Sequence, residues 1–224
     1  MDVAHHRCQE LFLKCGRTRV RLTKKQAAQN RDEILEAATR LFKTQGIDNV
    51  SVADLMNAAG FSHGGFYNHF ESKAELAVEA IRYAFDQSFN ELEASVVGND
   101  EPSGALTNAL LNYLAPEHRD ETSGGCPTGS LPVDVSRQPC EAQVAFADGL
   151  ERYIDLISRF QSATGSSSRQ NAIATLSTLV GAIILSRAVK RGRPELSDEI
   201  LEATSPRIGR SPPVVAKERR RRSA

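Results

Sequence analysis

Apolar residues recur at three- and four-residue spacing along almost the whole chain, and almost no segment alternates as a half-buried strand does, so the pattern predicts an all-α protein. The first stripe is Ile34, Leu35, Ala38, Leu41 and Phe42. It predicts a helix that starts at Asn30 or Arg31 and stops where Gly46 can take the left-handed position past the last turn. Ser51 with Asp54 forms a capping-box-like start for a short helix ending near Ala59, Asp standing where Glu or Gln is usual. Gly60 supplies a tight turn, Ser62 is an N-cap candidate for a helix through Phe70, and Ser72 caps a long helix striped by Val78, Ile81, Phe85, Phe89 and Leu92.

After a loop over 98–104, Leu106, Leu110, Leu111 and Leu114 mark a helix ending before Pro116. A polar stretch over 117–125 follows, and the three prolines of 126–139 leave room for at most one short irregular helix. Phe146, Leu150, Tyr153, Ile154, Ile157 and Phe160 predict an amphipathic helix. Beyond a flexible run over 165–168, Ile173, Leu176, Leu179, Val180, Ile183 and Ile184 cover more than one helical face. A helix so patterned must be buried on several sides, which fits a subunit interface formed by the helices over 172–189 and 196–203, with Ile183 in it. A short helix over 196–203 precedes a Pro-, Ser- and Arg-rich tail expected to be disordered.

Composition is ordinary for a globular protein: 224 residues, 40% hydrophobic and 25% charged. The net charge of zero hides an asymmetry, with 11 basic against 8 acidic residues over 1–73, 10 against 18 over 74–200, and 7 against 2 over 201–224. Basic ends and an acidic body suit a polyanionic partner held at the ends and kept off the middle. The apolar stretch over 172–189 is broken by Thr175, Ser177, Thr178, Ser186 and Arg187, so it reads as a buried helix and no membrane partner is expected. Leu11, Phe12 and Leu13 are hemmed in by Arg7, Glu10 and Lys14, which argues against a secretory signal and for the cytoplasm.

Cys8, Cys15, Cys126 and Cys140 form no CxxC pair, and reduced thiols are the expectation. His5, His6, Cys8 and Cys15, or Cys126 with Cys140, lack the spacing of a metal site, and no metal or cofactor is expected. The chain has no GxSxG, GxxxxGK[ST], GxGxxG or HExxH motif, so it reads as no enzyme.

Residues 51–73, SVADLMNAAGFSHGGFYNHFESK, are two short helices around a glycine turn, the geometry of a helix-turn-helix. From Arg31 to Leu76 the chain resembles the TetR/AcrR family of repressors, beginning with R-x-x-I-L-x-A-A-x-x-L-F-x-x-x-G and continuing through Val52, Leu55, Ala59, Gly60, Ser62, Gly64, Phe66, Tyr67, His69, Phe70, Ser72 and Lys73. The resemblance implies an N-terminal three-helix helix-turn-helix domain over 26–72 and a C-terminal helical ligand-binding and dimerisation domain over 73–204. A flexible basic arm over 1–25 and a disordered basic tail over 205–224 flank them.

It implies further that Tyr67, His69, Lys73, Ser51 and Ser62 contact phosphates of a double-stranded DNA operator. His63 and Asn68 can offer donors and acceptors to base edges, and Gly64 and Gly65 leave room for close approach. Phe66 and Phe70 are expected to pack inward, and Arg17, Arg19, Arg21, Lys24 and Lys25 to reach an adjacent minor groove. The function implied is a ligand-responsive regulator that binds an inverted repeat as a homodimer and is released by a small-molecule effector. Phe85, Phe89, Tyr113, Cys126, Phe146 and Tyr153 are candidate walls of its pocket. Two alternatives stay open at this point: a helical protein-interaction module with a degenerate helix-turn-helix, and a regulator whose sensor is the Cys126 thiol.

Overall fold

The computed structural model describes residues 23–162 and 169–208. Arg17, Arg19 and Arg21 of the basic arm, the His5, His6, Cys8 and Cys15 group, the run over 165–168 and the tail past 208 lie outside the described residues. Every regular element among the described residues is helical.

Helix α1, Lys24–Gln45, starts six residues or more ahead of the Asn30–Arg31 expectation. Its start is a capping box: the Thr23 hydroxyl accepts the Gln26 N–H at 3.2 Å, and the Gln26 side-chain oxygen accepts the Thr23 N–H at 3.0 Å. Lys24 and Lys25 therefore belong to a first helical turn and not to an arm. The helix ends at Gly46 with φ 85°, where a Cβ would also lie 2.7 Å from Asp134 Oδ1. Helix α2, Val52–Ala58, carries the Ser51–Asp54 capping box, and Gly60 turns the chain with φ 78°. The next segment departs from expectation: His63–Asn68 is a 3-10 helix, and Ser62 makes no side-chain capping bond.

Helix α3, Lys73–Val97, is capped by the Ser72 hydroxyl accepting the Glu75 N–H at 3.1 Å. Helix α4, Pro102–Tyr113, is followed by α5, Pro116–Asp120, which runs into the stretch read only as polar. Proline at a first helical position costs no hydrogen bond, since that N–H has no partner within the helix, and Pro116 sits there. The same device opens a 3-10 turn, Pro127–Gly129, and α6, Pro132–Val135, two short pieces where at most one is expected. Helices α7, Cys140–Ser162, α8, Arg169–Val189, and α9, Pro194–Thr204, complete the order, with a 3-10 turn, Ser205–Arg207, and buried Ile208 inside the segment expected to be a disordered tail.

Packing follows the stripes. One core joins Ile34, Ala38 and Phe42 of α1, Leu55 and Met56 of α2, Phe66 and Phe70, Ile81 and Phe85 of α3, Leu131 and Val135, and Phe146 and Tyr153 of α7. It runs through residue 73 without a break, so no packing boundary divides the helix-turn-helix from the helices after it. A second core gathers Leu106 and Leu110 of α4, Ile154 and Ile157 of α7, Leu179 and Ile183 of α8, Leu201 of α9 and Ile208. Helix α7 crosses α3 closely at Gly149, where a Cβ would lie 2.3 Å from the Phe85 ring.

Helix α8 is long and apolar enough to cross a membrane by length and composition alone. It packs on α7 and α9, and its buried Ser186 shares a 2.7 Å hydrogen bond with Ser197 of α9. Ile183, expected within the subunit interface, is 0% exposed inside the monomer. The outward face is carried instead by Ile173, Ser177 and Leu185, with small residues between them. Arg119 of α5, 5% exposed, donates to Asp120, Ser197 and Asp198 and so ties α5 to α9.

Candidate nucleic-acid interface and effector cavity

Phe66 and Phe70 are buried at 0% and 2% exposure with ring centroids 5.8 Å apart, and they anchor the 3-10 segment from beneath. Polar side chains of and beside this segment are turned outward: Ser62, His63, Tyr67 and Asn68 are exposed, and Ser51 is exposed at the start of α2. Tyr67 is 69% exposed with its ring edge-on to Phe66 at 5.2 Å.

His69 and Lys73 are half-buried, and the Lys73 ammonium rests 3.4 Å from the Asp48 carbonyl. Ser51 differs from the rest, because its hydroxyl donates to Asp54 Oδ2 at 2.6 Å while accepting the Asp54 N–H. The Ser51 hydroxyl and the Ser51 N–H, which donates to the same oxygen at 2.9 Å, hold the Asp54 carboxyl below the usual range. Gly64 has ordinary φ, and a Cβ there would meet nothing within 4 Å, while one at Gly65 would make only ordinary contact with Met56. Neither glycine is demanded by the fold.

A cavity of about 470 Å³ opens among α3, α4, α5, α7, α8 and the 124–128 loop. Leu92, Leu110, Ile157, Leu176 and Leu179 supply apolar wall. Of the six pocket residues expected from sequence, Tyr113, Cys126 and Tyr153 line it. Phe85, Phe89 and Phe146 do not: they pack behind Tyr153, with Phe85 at 5.1 Å from Phe146 and 5.9 Å from Tyr153, and Phe89 at 5.6 Å from Tyr153. Phe85 and Phe89 sit on the stripe of α3 that faces α7 and Phe146 on α7 opposite them, and such stripes are filled by core before they are offered to a ligand.

The polar wall forms a chain of hydrogen bonds. Tyr113 OH and Thr128 Oγ1 are 3.1 Å apart, Thr128 Oγ1 and Cys126 Sγ 3.0 Å, and Cys126 Sγ donates to Tyr153 OH at 3.5 Å. Burial pushes both tyrosine hydroxyls upward. His118 stacks on Tyr113 at 4.5 Å, and its buried Nε2 has no hydrogen-bond partner. Burial, aided by the Arg187 guanidinium and the Lys43 ammonium, pushes His118 down to about 4 and keeps it neutral. Among the described residues no group of His, Cys, Asp and Glu is placed to hold a metal ion.

The loop beside the cavity is bonded to the helix-turn-helix. Lys43, 6% exposed in the last turn of α1, donates to the Gly125 carbonyl at 2.8 Å, and burial lowers its pKa. Asp134 of α6 accepts the Ile47 N–H at 3.3 Å, and Gln138 donates to Asp48 at 2.9 Å. Sequence reasoning missed Lys43, His118 and Thr128. Lys43 had one faint signal, a charged residue one and two turns along from Thr39 and Leu35 on a buried face, whereas His118 and Thr128 sit in short segments with no readable period.

The family of bacterial regulatory proteins named tetR matches residues 34–80, which span the C-terminal part of α1 through the first turns of α3. The HTH-type transcriptional regulator TtgR of Pseudomonas putida is 36% identical over 97 residues, 42% of this chain and 46% of that protein. The HTH-type transcriptional repressor KstR2 of Mycolicibacterium smegmatis is 32% identical over 98 residues, 43% and 48% of the two chains. The chain thus spans about half the length of these curated relatives. A crystal structure of a TetR transcriptional regulator from Chloroflexus aurantiacus superposes with a TM-score of 0.68 at 21% identity, covering 82% of this chain and 94% of that one, which establishes the fold over the C-terminal helices as well. Residues 34–80 thus match the tetR family of bacterial regulatory proteins, and the described helices share the fold of a TetR transcriptional regulator.

Proposed function

We propose that this protein is a ligand-responsive repressor of transcription in the cytoplasm. In this reading it binds an inverted-repeat operator in double-stranded DNA as a homodimer and leaves it when a small molecule fills the cavity. The observation that carries the reading is the 3-10 segment, a row of outward polar side chains fixed from below by Phe66 and Phe70. Tyr67, His69, Lys73 and Ser62 set the register on phosphates, and His63 and Asn68 read bases. The Ser51 hydroxyl, committed to Asp54, contributes less than its neighbours. Release follows if the loaded cavity displaces the 124–128 loop, because Lys43 and Asp134 pass that displacement to the end of α1 and change the spacing of two recognition segments. Dimerisation is supported by the outward face of α8, where Ile173 and Leu185 are 40% and 59% exposed.

Selection of duplexes from random DNA tests this. Recovered sequences should be inverted repeats, since two symmetry-related segments need two half-sites. Recovery of sequences without dyad character, or of none above background, rejects it.

A second reading, a thiol-responsive regulator, is favoured by the place of Cys126 on the cavity wall between Thr128 and Tyr153. Under that reading Cys126→Ser abolishes release by thiol-modifying reagents while leaving operator binding intact; unchanged release rejects it.

A further inference from the structure

Resting on the reading of the cavity as the effector site, we infer that it selects an uncharged molecule with an apolar body and one hydrogen-bonding head, a hydroxyl or a carbonyl. The inference comes from where the charges around the cavity are spent. Two cations lie behind its polar wall, and the hydrogen bonds the structure gives them run to main-chain carbonyls. Lys43 donates to the Gly125 carbonyl, and Arg187 donates to the carbonyls of Arg119, Gly129, His118 and Glu121. Neither is among the lining residues, so the cavity presents no cationic donor to a carboxylate or phosphate. The charged side chains that do line it are Glu91 and Glu121. Ser123 and Gly124 hold the Glu121 carboxyl below the usual range, so it stays ionised. An anionic head would leave water to join two carboxylates without an ion-pair donor, which is strongly unfavourable.

A cationic head fares no better at the polar wall. At His118, burial together with the field of Arg187 and Lys43 prevails over the opposite pull of Glu121 and keeps the imidazole unprotonated, and the same field opposes an ammonium placed on that nitrogen, whatever draw Glu91 and Glu121 exert elsewhere on the wall. What remains is a neutral hydrogen-bonding surface. Tyr113, Thr128, Cys126 and Tyr153 already satisfy one another, whereas His118 Nε2 is buried and unpartnered. A buried polar atom without a partner costs stability until a ligand group meets it. A hydroxyl can donate to it or accept from it, whichever tautomer the ring adopts. The apolar body then lies against Leu92, Leu110, Ile157 and Leu176, and about 470 Å³ accommodates a ring with a short alkyl chain.

The test compares three probes of one shape on the full chain by titration calorimetry at neutral pH: 4-butylphenol, 4-butylbenzoate and 4-butylbenzylammonium. The phenol is expected to bind at least about ten-fold tighter than either ion. His118→Phe keeps the ring on Tyr113 and removes the nitrogen, so it should lose about ten-fold in phenol affinity, and His118→Gln should restore part of that loss. Melting curves establish that both variants are folded. An ion that binds as tightly as the phenol, no phenol binding at about 1 mM, or His118→Phe binding phenol like the parent chain overturns the assignment. Operator selection without any probe separates this from the wider reading. A protein that selects an inverted repeat but prefers an ion refutes the neutral head alone, and one that binds the phenol but no DNA refutes the repressor.

Discussion

Gly64 is the residue at which the fold and the proposed function make opposite demands. A glycine in a helical segment is weak by about 1 kcal/mol against alanine. The structure gives no internal return for that weakness, because a Cβ at 64 meets nothing and φ is ordinary. Gly64→Ala should therefore raise the stability of the free protein by about 0.5–1 kcal/mol in denaturant melts while weakening operator binding by about ten-fold or more. If affinity is untouched, close approach of DNA to this point is wrong. At this scale the sequence was legible wherever a residue type is rare in its setting, as with an exposed Tyr67 between two buried phenylalanines. It was silent on His118, whose orphaned Nε2 and stacking on Tyr113 depend on a loop and two helices meeting.

Among the elements, the turn after α1 joins two requirements in one position. Gly46 has φ 85° and also stands where a side chain would strike Asp134, the residue that accepts the Ile47 N–H. Gly46→Ala should cost about 1–2 kcal/mol for the left-handed backbone alone. It should cost more through the displaced Asp134, lowering the melting temperature by about 2–4 °C for each kcal/mol. A variant that melts with the parent chain shows that the turn relaxes freely. The stop at Gly46 and the Ser51–Asp54 and Ser72 starts were legible because caps are local chemistry. The Thr23–Gln26 start was equally local, a Thr-x-x-Gln box, but it precedes the apolar stripe and so escapes a reading led by periodicity. The 3-10 geometry of His63–Asn68 was not legible, since both kinds of helix share the same short pattern.

Across the whole molecule, the proposed assembly and the proposed signalling call on different faces. Ile183 is core, so a charge there unfolds the monomer and says nothing about dimers. Leu185 is 59% exposed on the outward face of α8. Leu185→Asp should leave the melting temperature of the monomer nearly unchanged, give a monomer by sedimentation and weaken operator binding. A Leu185→Asp chain that stays dimeric places the interface elsewhere. Signalling is tested at Lys43, the buried cation tying α1 to the 124–128 loop. Lys43→Met should still bind operator and still bind a cavity ligand, with the ligand's effect on operator affinity reduced from the parent's coupling. Undiminished release excludes this bond from the route.

The sequence by itself determined the helical class, the helix-turn-helix over 51–73 and the inward packing of Phe66 and Phe70. These follow from periodicity, caps and turns, which act over a few residues. Only the tertiary structure decided that Phe85, Phe89 and Phe146 are core while His118, Thr128 and Glu121 border a cavity, and that Lys43 reaches Gly125. A stripe specifies that a face is buried but not what buries it, so a ring against α7 and a ring against a ligand read alike until the helices are packed. The partners in these contacts lie 82 residues apart for Lys43 and Gly125 and 87 for Ile47 and Asp134, and no local pattern encodes a meeting at that distance.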